Sequence, residues 1–226
     1  MKCWICGDEA TTGEHMTKAS DLRSMFGPVT QKAPLFFHTD ERRNVPVPGI
    51  NSAKLKFTSL LCARCNNDRT QPHDRAWAAL SQYLRGRVPP VRPGTVVRLA
   101  PVFPGRVRAS MLDVHLYFLK LFGCLIAEHS VPLDLAEFAQ AILRSEAHPR
   151  VHIAFAVCDE FPVRAAGITQ IEARELQGAI RFASWHYYLG RLSANVMYAD
   201  PRERRHGLVD SWHPSTVSKL IHIKKL

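Results

Sequence analysis

Several features that would place the chain in a common class are missing from its sequence. No segment of the 226 residues repeats, and none is of low complexity. The second half, residues 107–226, contains no nucleophile motif, no glycine-rich phosphate loop and no metal-ligand pattern. These absences argue against a repeat protein and a disordered chain, and they leave the first half as the source of any recognisable chemistry.

A long uninterrupted apolar run is also missing. The most apolar stretch, residues 111–127, contains Asp113, His115 and Lys120, so we expect it to be too polar and too short to span a bilayer. The first residues are polar and lack the apolar core of a secretory signal. The sequence therefore predicts a cytoplasmic protein with no membrane partner. Because thiols stay reduced in the cytoplasm, paired cysteines there indicate a metal site more strongly than a disulfide.

Acidic residues are scarce. The chain has 20 Asp and Glu against 30 Lys and Arg, which gives a formal net charge of +10. The excess is uneven, because residues 1–106 carry 16 basic and 8 acidic side chains whereas residues 107–226 carry 14 and 12. A basic surface attracts phosphate backbones, so the first half is the part expected to bind nucleic acid.

A stretch rich in proline and glycine divides the chain. Residues 86–94 contain three prolines and two glycines, and such a composition cannot continue a helix. We therefore predict two domains, residues 1–88 and residues 95–226, joined by this linker.

Before the linker, residues 20–26 are predicted to form a helix with Ser20 as its N-cap and Gly27 just past its end. Residues 28–50 contain four prolines and are predicted to be a long loop. Residues 54–61 alternate in polarity and predict a strand, and residues 74–84 predict a helix.

After the linker, helices precede strands. Residues 111–128 and 133–145 predict two helices, and residues 151–157 and 181–198 predict strands. Residues 188–191 are expected to turn the second of these segments into a hairpin. Together these patterns predict an α+β fold.

Two Cys-x-x-Cys pairs form the strongest motif. Cys3 and Cys6 are the first pair, and Cys62 and Cys65 are the second, 55 residues later. Each pair can offer two thiolates from one tight turn, and two pairs complete a closed, tetrahedral and therefore structural zinc site. The two remaining cysteines lie in apolar runs and are expected to be core residues: Cys124 and Cys158.

An acidic residue and a histidine follow the first pair, and an asparagine follows the second. These residues are Glu14, His15 and Asn66. In this order the motifs resemble those of the HNH nucleases, also called ββα-metal or His-Me finger nucleases. They are especially similar to phage junction-resolving members with two zinc knuckles. The resemblance covers roughly residues 1–85 and implies that they form a zinc-stapled ββα-metal domain.

The resemblance also implies a role for each of the three residues. His15 matches the general base that removes a proton from the attacking water, and Glu14 and Asn66 match the ligands of a catalytic divalent ion. Phosphodiester hydrolysis needs an activated water and a cation beside the developing negative charge. A neutral imidazole suits the first task near pH 7, and oxygen ligands suit Mg²⁺ or Mn²⁺.

Three features depart from the family pattern. Lys18 stands where a proline usually follows the histidine, and residues 17–53 must contain an insertion. The central asparagine of the family is missing from its usual place before the second knuckle, so Asn51 and Asn44 are both candidates for orienting His15. His73 could reach a phosphate or the metal, although a solvated residue at a helix start is the simpler expectation.

Six basic residues surround these motifs in the sequence. They are predicted to form a phosphate-contacting surface, although each one alone is equally well explained as a solvated side chain. Two of the lysines would share one face of the predicted strand. The six residues are Arg42, Arg43, Lys54, Lys56, Arg64 and Arg69.

The sequence therefore predicts a metal-dependent endonuclease that hydrolyses phosphodiester bonds in DNA, with RNA as an alternative substrate. Because freestanding relatives concentrate in phages and in antiviral defence, the resemblance implies such a setting. The competing hypothesis is a non-catalytic zinc module that binds nucleic acid or a protein partner. Residues 95–226 are expected to serve targeting, homo-oligomerisation or partner binding, and their aromatic runs at 185–188 and 212–214 to pack in the core or to stack on bases.

Overall fold

The structure, a computed structural model, mixes helices and strands. It describes residues 1–39, 41–58, 60–158, 164–203, 208, 211–216 and 218–226. Helix accounts for 32% of the chain and strand for 27%, so the predicted α+β class is confirmed.

The N-terminal region is built from short elements. Helix α1 spans Ala19–Phe26 and is followed by an antiparallel hairpin of β1, Leu35–Phe37, and β2, Val45–Val47. A 3-10 helix at Ala53–Leu55 and a π-helix at Arg64–Arg69 lead into α2, Gln71–Arg85. Proline lies at the start of α2, where its missing N–H costs no hydrogen bond.

Three predictions for this region are wrong in detail. Lys18, not Ser20, is the N-cap of α1, because the chain leaves its extended conformation two residues earlier than expected. The predicted loop 28–50 contains the β1–β2 hairpin. Residues 54–61 do not form a regular strand, since the Ser52 hydroxyl accepts a hydrogen bond from Lys54 N and starts a 3-10 turn there. Lys54 and Lys56 therefore do not share a strand face.

The rest of the chain follows the prediction more closely. Strand β3, Val96–Arg98, precedes α3, Val107–His129, and α4, Leu135–Arg144. The main sheet has the order β10-β4-β8-β7-β5, with β6 also paired to β7, and all its pairings are antiparallel except β10 with β4. Its strands are β4 Val151–Val157, β5 Ala166–Ile168, β6 Glu172–Leu176, β7 Ala179–Leu189, β8 Leu192–Ala199 and β10 Lys224–Lys225, while β9, Leu220–His222, pairs with β3.

Helix α3 is longer than the stretch from which it was predicted. Its 23 residues are long and apolar enough to cross a membrane by length and composition alone, so the prediction that the segment is too short is wrong. In the structure, however, 78% of its most apolar window is buried inside the protein. The helix is therefore a core helix of the protein.

The hydrophobic core is continuous around α3. Trp77 of α2 packs against Tyr117 and Phe118 of α3, with ring centroids 5.7 and 4.7 Å apart, and Phe118 in turn contacts Trp185 of β7. The cluster extends from Cys3 to residue 223 and crosses the predicted linker. The division into two domains stays a prediction, because neither half has been observed alone.

The aromatic runs of the second half and the two isolated cysteines are core residues. Trp185, Tyr187 and Trp212 are buried, as are Cys124 and Cys158. These residues therefore pack in the core and do not form a surface on which bases could stack.

A glycine on α3 receives a tryptophan from the first cysteine pair. A Cβ added at Gly123 would lie 2.3 Å from two ring carbons of Trp4, far inside van der Waals contact. The bare backbone at Gly123 therefore forms the notch into which Trp4 packs, and this contact couples the N-terminal knuckle to the core helix.

A cluster of histidines is buried where α3 meets β4. His115 Nε2 accepts a hydrogen bond from the backbone N–H of His148, and the ring of His213 lies 5.5 Å from that of His115 and 5.1 Å from that of His152. Burial, together with the charge that His213 would carry, lowers the pKa of His115 well below its usual value. The same two causes lower the pKa of His148 and of His152 to about 4.

Gly123→Ala should destabilise the fold. Alanine adds about 1 kcal/mol of helix propensity, but overpacking a rigid indole costs about 1–3 kcal/mol, so we expect a net loss of unfolding free energy and a lower Tm. Gly49→Ala is the control, because a Cβ there meets no atom within 4 Å. The cost should shrink in a Trp4→Ala background, and an equal cost in both backgrounds would contradict the proposed contact.

Acid should unfold the protein through the histidine cluster. In the unfolded chain these histidines take up protons near their ordinary pKa of 6.5, whereas the folded chain holds His148 and His152 neutral down to about 4. The contribution of these histidines to the free energy of unfolding is therefore fully present above about pH 6.5 and is lost as the pH falls towards 4. Urea unfolding at several pH values measures it. His152→Gln should flatten the dependence, and the exposed His222, changed to Gln, should leave it unaltered.

Candidate functional site

The two cysteine pairs meet in one cluster. The four Sγ atoms of Cys3, Cys6, Cys62 and Cys65 all lie within 4.8 Å of one another, and those of Cys6 and Cys62 are 3.6 Å apart. Sulfurs around a tetrahedral zinc, at a Zn–S distance of about 2.3 Å, lie about 3.8 Å from one another. The cluster is thus a metal site in its geometry, and its four residues could hold a zinc ion.

Backbone hydrogen bonds form the two turns that carry the sulfurs. In the first turn Gly7 N donates to Cys3 O at 2.8 Å, and in the second Asn66 N donates to Cys62 O at 3.0 Å. Trp4 N also donates to Leu60 O at 3.3 Å, which joins the two turns. Residues far apart in the sequence are therefore positioned by main-chain contacts as well as by their sulfur atoms.

The chemistry of the thiols also fits a metal. Burial raises the pKa of the Cys6 thiol to about 11 and also raises that of Cys65, because a thiolate loses its solvation there. A bound cation reverses this preference, since coordination deprotonates a thiol. A bound metal ion would therefore stabilise the thiolate form of Cys6 and Cys65.

The segment with the acid–histidine motif lies against the residues before the second pair. Thr12 and Leu61 exchange backbone hydrogen bonds, Phe57 N donates to Glu14 O at 2.8 Å, and Met16 N donates to Leu55 O at 3.0 Å. A Cβ at Gly13 would lie 2.2 Å from Phe57 O, so the two segments can come this close only because residue 13 is glycine.

Asn66 faces this segment from the second turn. Its Nδ2 donates to Thr12 Oγ1 at 3.2 Å, and its Oδ1 is buried and finds no hydrogen-bond partner among the described residues. A buried carbonyl oxygen without a donor is costly, and a cation is one partner that would satisfy it.

Glu14 is held from the opposite side by a buried lysine. Lys120 of α3 is completely buried, and its Nζ lies 3.2 Å from Glu14 Oε2 and 3.0 Å from Asp74 Oδ1. It also donates to Thr70 Oγ1 at 3.3 Å, and Thr70 Oγ1 donates to Asn66 O at 3.0 Å. Glu14 and Asn66 are thus linked through Lys120 and Thr70.

The charges in this network depend on one another. Burial raises the pKa of Glu14, and the charge of Lys120 opposes that shift. Burial alone would lower the pKa of Lys120, but the two carboxylates of Glu14 and Asp74 outweigh it and raise that pKa. The ammonium therefore stays charged and offsets part of the negative charge of the two carboxyl groups.

His15 points away from this network. Successive side chains of an extended segment lie on opposite sides, so Glu14 faces α3 while His15 faces the loop at 48–52. Its Nε2 lies 3.2 Å from Ile50 O, and neither Asn44 nor Asn51 takes the orienting role that the sequence left open. Burial lowers its pKa, and the positive charges of Lys56, Arg23 and Lys120 lower it further, so the ring is neutral near pH 7.

The six basic residues lie on three separate segments. Arg42 and Arg43 are exposed between β1 and β2, Arg64 and Arg69 begin and end the π-helix, and Lys54 donates from its Nζ to Pro46 O at 3.3 Å. The sixth, Lys56, pairs with His15 across an isolated antiparallel bridge. Their predicted contact with phosphates stays a prediction.

His73 is buried, so the expectation of a solvated helix-start residue is wrong. Its side chain is 4% exposed and its Nδ1 lies 2.8 Å from Asp113 Oδ1. The pairing follows from the packing of α2 on α3, which desolvates the ring and supplies a carboxylate. His73 Nε2 is buried and has no hydrogen-bond partner among the described residues.

Sequence reasoning missed the three residues that complete the network: Asp74, Asp113 and Lys120. A signal was present, since Asp113 and Lys120 interrupt an apolar helix and buried charges are almost always paired. Which partners they would find could not be read from the sequence, because those partners lie at least 40 positions away along the chain.

The purified protein should contain one zinc per chain, and Cys62→Ser should lose it together with the fold of the N-terminal region. Three thiolates leave an open, weaker site, and structural zinc contributes about 10–16 kcal/mol of apparent binding free energy in small zinc domains. Elemental analysis of both proteins is the measurement. Cys158→Ser is the matched control and should keep its zinc, whereas a folded, zinc-free wild-type protein would contradict the assignment.

Comparison of the chain with protein-family models, with curated proteins and with solved structures finds no match.

Proposed function

We propose that the protein is a metal-dependent HNH endonuclease that hydrolyses phosphodiester bonds in DNA. In this proposal Cys3, Cys6, Cys62 and Cys65 hold a structural zinc ion. His15 is the general base, and Glu14 and Asn66 together hold the catalytic Mg²⁺ or Mn²⁺.

One observation carries the proposal. The acid–histidine segment lies against the start of the π-helix: Asn66 Nδ2 donates to Thr12 Oγ1, two residues before Glu14, and Asn66 Oδ1 is buried without a hydrogen-bond partner among the described residues. The two motifs that the resemblance requires at one site therefore lie side by side, although 50 residues separate His15 from Cys65.

The state of His15 suits a general base. A lowered pKa keeps the imidazole neutral at pH 7, so a ring nitrogen has a lone pair available for a proton. If Nε2 donates to Ile50 O, the basic nitrogen is Nδ1, and the carbonyl fixes both the tautomer and the ring orientation. His15 then withdraws a proton from the water that attacks phosphorus.

The ligand set suits a hard cation. Glu14 offers a carboxylate that is 12% exposed, and Asn66 offers the unpaired amide oxygen. When bound, Mg²⁺ or Mn²⁺ stabilises negative charge on the phosphoryl oxygens. Lys120 lies behind Glu14, with its Nζ 3.2 Å from Oε2, and its positive charge opposes the rise that burial causes in the pKa of that carboxyl.

The same ion pair favours the alternative of a non-catalytic zinc module that binds nucleic acid or a protein. Lys120 already neutralises Glu14, so the site is electrically satisfied without a divalent ion. In that case the carboxylate–ammonium network only joins the N-terminal region to α3. Residues 95–226, under either hypothesis, would provide targeting, oligomerisation or partner binding.

Nicking of supercoiled plasmid with and without added Mg²⁺ or Mn²⁺ distinguishes the two functions. We expect metal-dependent nicking by the wild-type protein and a loss of at least about 100-fold in His15→Ala, in the range usual for a positioned general base. Asn66→Ala should need a higher Mg²⁺ concentration for the same rate.

The control is the exposed His222, whose change to Ala should leave the rate unaltered while zinc content stays at one per chain in every variant. Wild-type protein that cuts no DNA with any divalent ion would favour the binding module. Wild-type cleavage that persists in His15→Ala would place the active site elsewhere.

A further inference from the structure

An open groove lies against the loop at 48–52, whose Ile50 carbonyl oxygen contacts His15. Its volume is about 820 Å³, and its walls are residues 23–31 after the middle of α1 and residues 48–52 after β2. The two walls belong to the predicted insertion between the two halves of the motif. Ile50 is shared, because it lines the groove and its carbonyl oxygen contacts His15 Nε2 at 3.2 Å.

The polar groups of the groove suit an anion with a hydrogen-bonding base. Arg23 is exposed, lines the groove and makes no ion pair with any described carboxylate. Gln31 and Asn51 present exposed side-chain amides from the two walls, and Ser52 adds a hydroxyl. None of the described residues that line the groove is acidic.

The remaining surface of the groove is apolar and rigid. Pro28 and Val29 form part of one wall and Pro48 part of the other. Flat apolar surfaces of this kind accept the face of a base, and amides bond its edge, whereas a base inside a duplex exposes only its groove edges. The volume falls within the range of pockets that hold a small organic ligand, which fits one or two nucleotides and not a duplex.

We infer that this groove, called the His15 groove, binds an unpaired nucleotide of a DNA strand, with Arg23 on the phosphate next to His15. The inference rests on the proposed nuclease function, and it names the part of the substrate that the site receives. Arg23 is a positioning residue: it holds the phosphate at the distance where His15 can act on water, and Gln31 and Asn51 contact the base. The protein therefore prefers DNA with unpaired nucleotides over a continuous duplex.

The test is binding, measured by fluorescence anisotropy with full-length, zinc-loaded protein and no added divalent ion. The probes are a labelled single-stranded oligonucleotide and the same sequence as a duplex. We expect the single strand to bind more tightly. Arg23→Ala should weaken single-strand binding about tenfold, as expected for one charged contact to a phosphate, and should reduce the salt slope by about 0.7.

Two variants sharpen the result. Arg174→Ala, an exposed arginine of β6 remote in sequence from the groove, should leave affinity within about twofold of wild type. Compared with Arg23→Ala, Arg23→Lys should recover part of the affinity, because lysine restores the positive charge but not the planar, bidentate contact of a guanidinium with a phosphate.

The outcomes separate this inference from the function on which it rests. Equal affinity of wild type and Arg23→Ala for the single strand, or tighter binding of the duplex, would overturn the inference even if the protein cuts DNA. Binding that depends on Arg23 without any metal-dependent cleavage would uphold the groove and contradict the nuclease alone.

Discussion

The buried ammonium of Lys120 determines much of the arrangement around the site. A fully buried charge is tolerated only with partners, and here those partners are the carboxylates of Glu14 and Asp74 at 3.2 and 3.0 Å. One comes from the N-terminal segment and the other from α2, so a single side chain of the core helix draws two separate elements together. Removing one partner would leave an uncompensated charge in the core, and such losses commonly cost several kcal/mol.

Other contacts along α3 reinforce this junction. Asp113 bonds His73 near the start of the helix, Gly123 receives Trp4 near its middle, and Glu128 accepts hydrogen bonds from the backbone and hydroxyl of Thr58 near its end. The N-terminal region has few regular elements of its own. Its shape therefore depends on the cysteine cluster at one side and on α3 at the other.

The extended segment at 12–16 then separates two environments. Glu14 faces a closed, charge-neutralised interior, whereas His15 faces an open groove with Arg23 at its wall. Both walls of the groove lie between the two cysteine pairs in the sequence, and they supply the surface proposed to bind DNA.

Much of the fold could be predicted from local patterns. The hairpin of β7 and β8, strand β4 and the two long helices follow from the spacing of apolar residues, and the cysteine cluster follows from the spacing of its two pairs. Residues 54–61 were assigned wrongly because alternating polarity cannot reveal the Ser52 cap that starts a 3-10 turn there.

The sequence by itself determined the α+β class and the four cysteines of the cluster. Each of these depends on residue type and short spacing, which a chain expresses before it folds. Only the tertiary structure decided that Lys120 neutralises Glu14, that Ile50 O contacts His15, and that His73 is buried against Asp113. The physical reason is that these contacts join residues 14 and 120, 15 and 50, and 73 and 113, and a pairing at such separations is set by which elements pack together, not by any local preference of the chain.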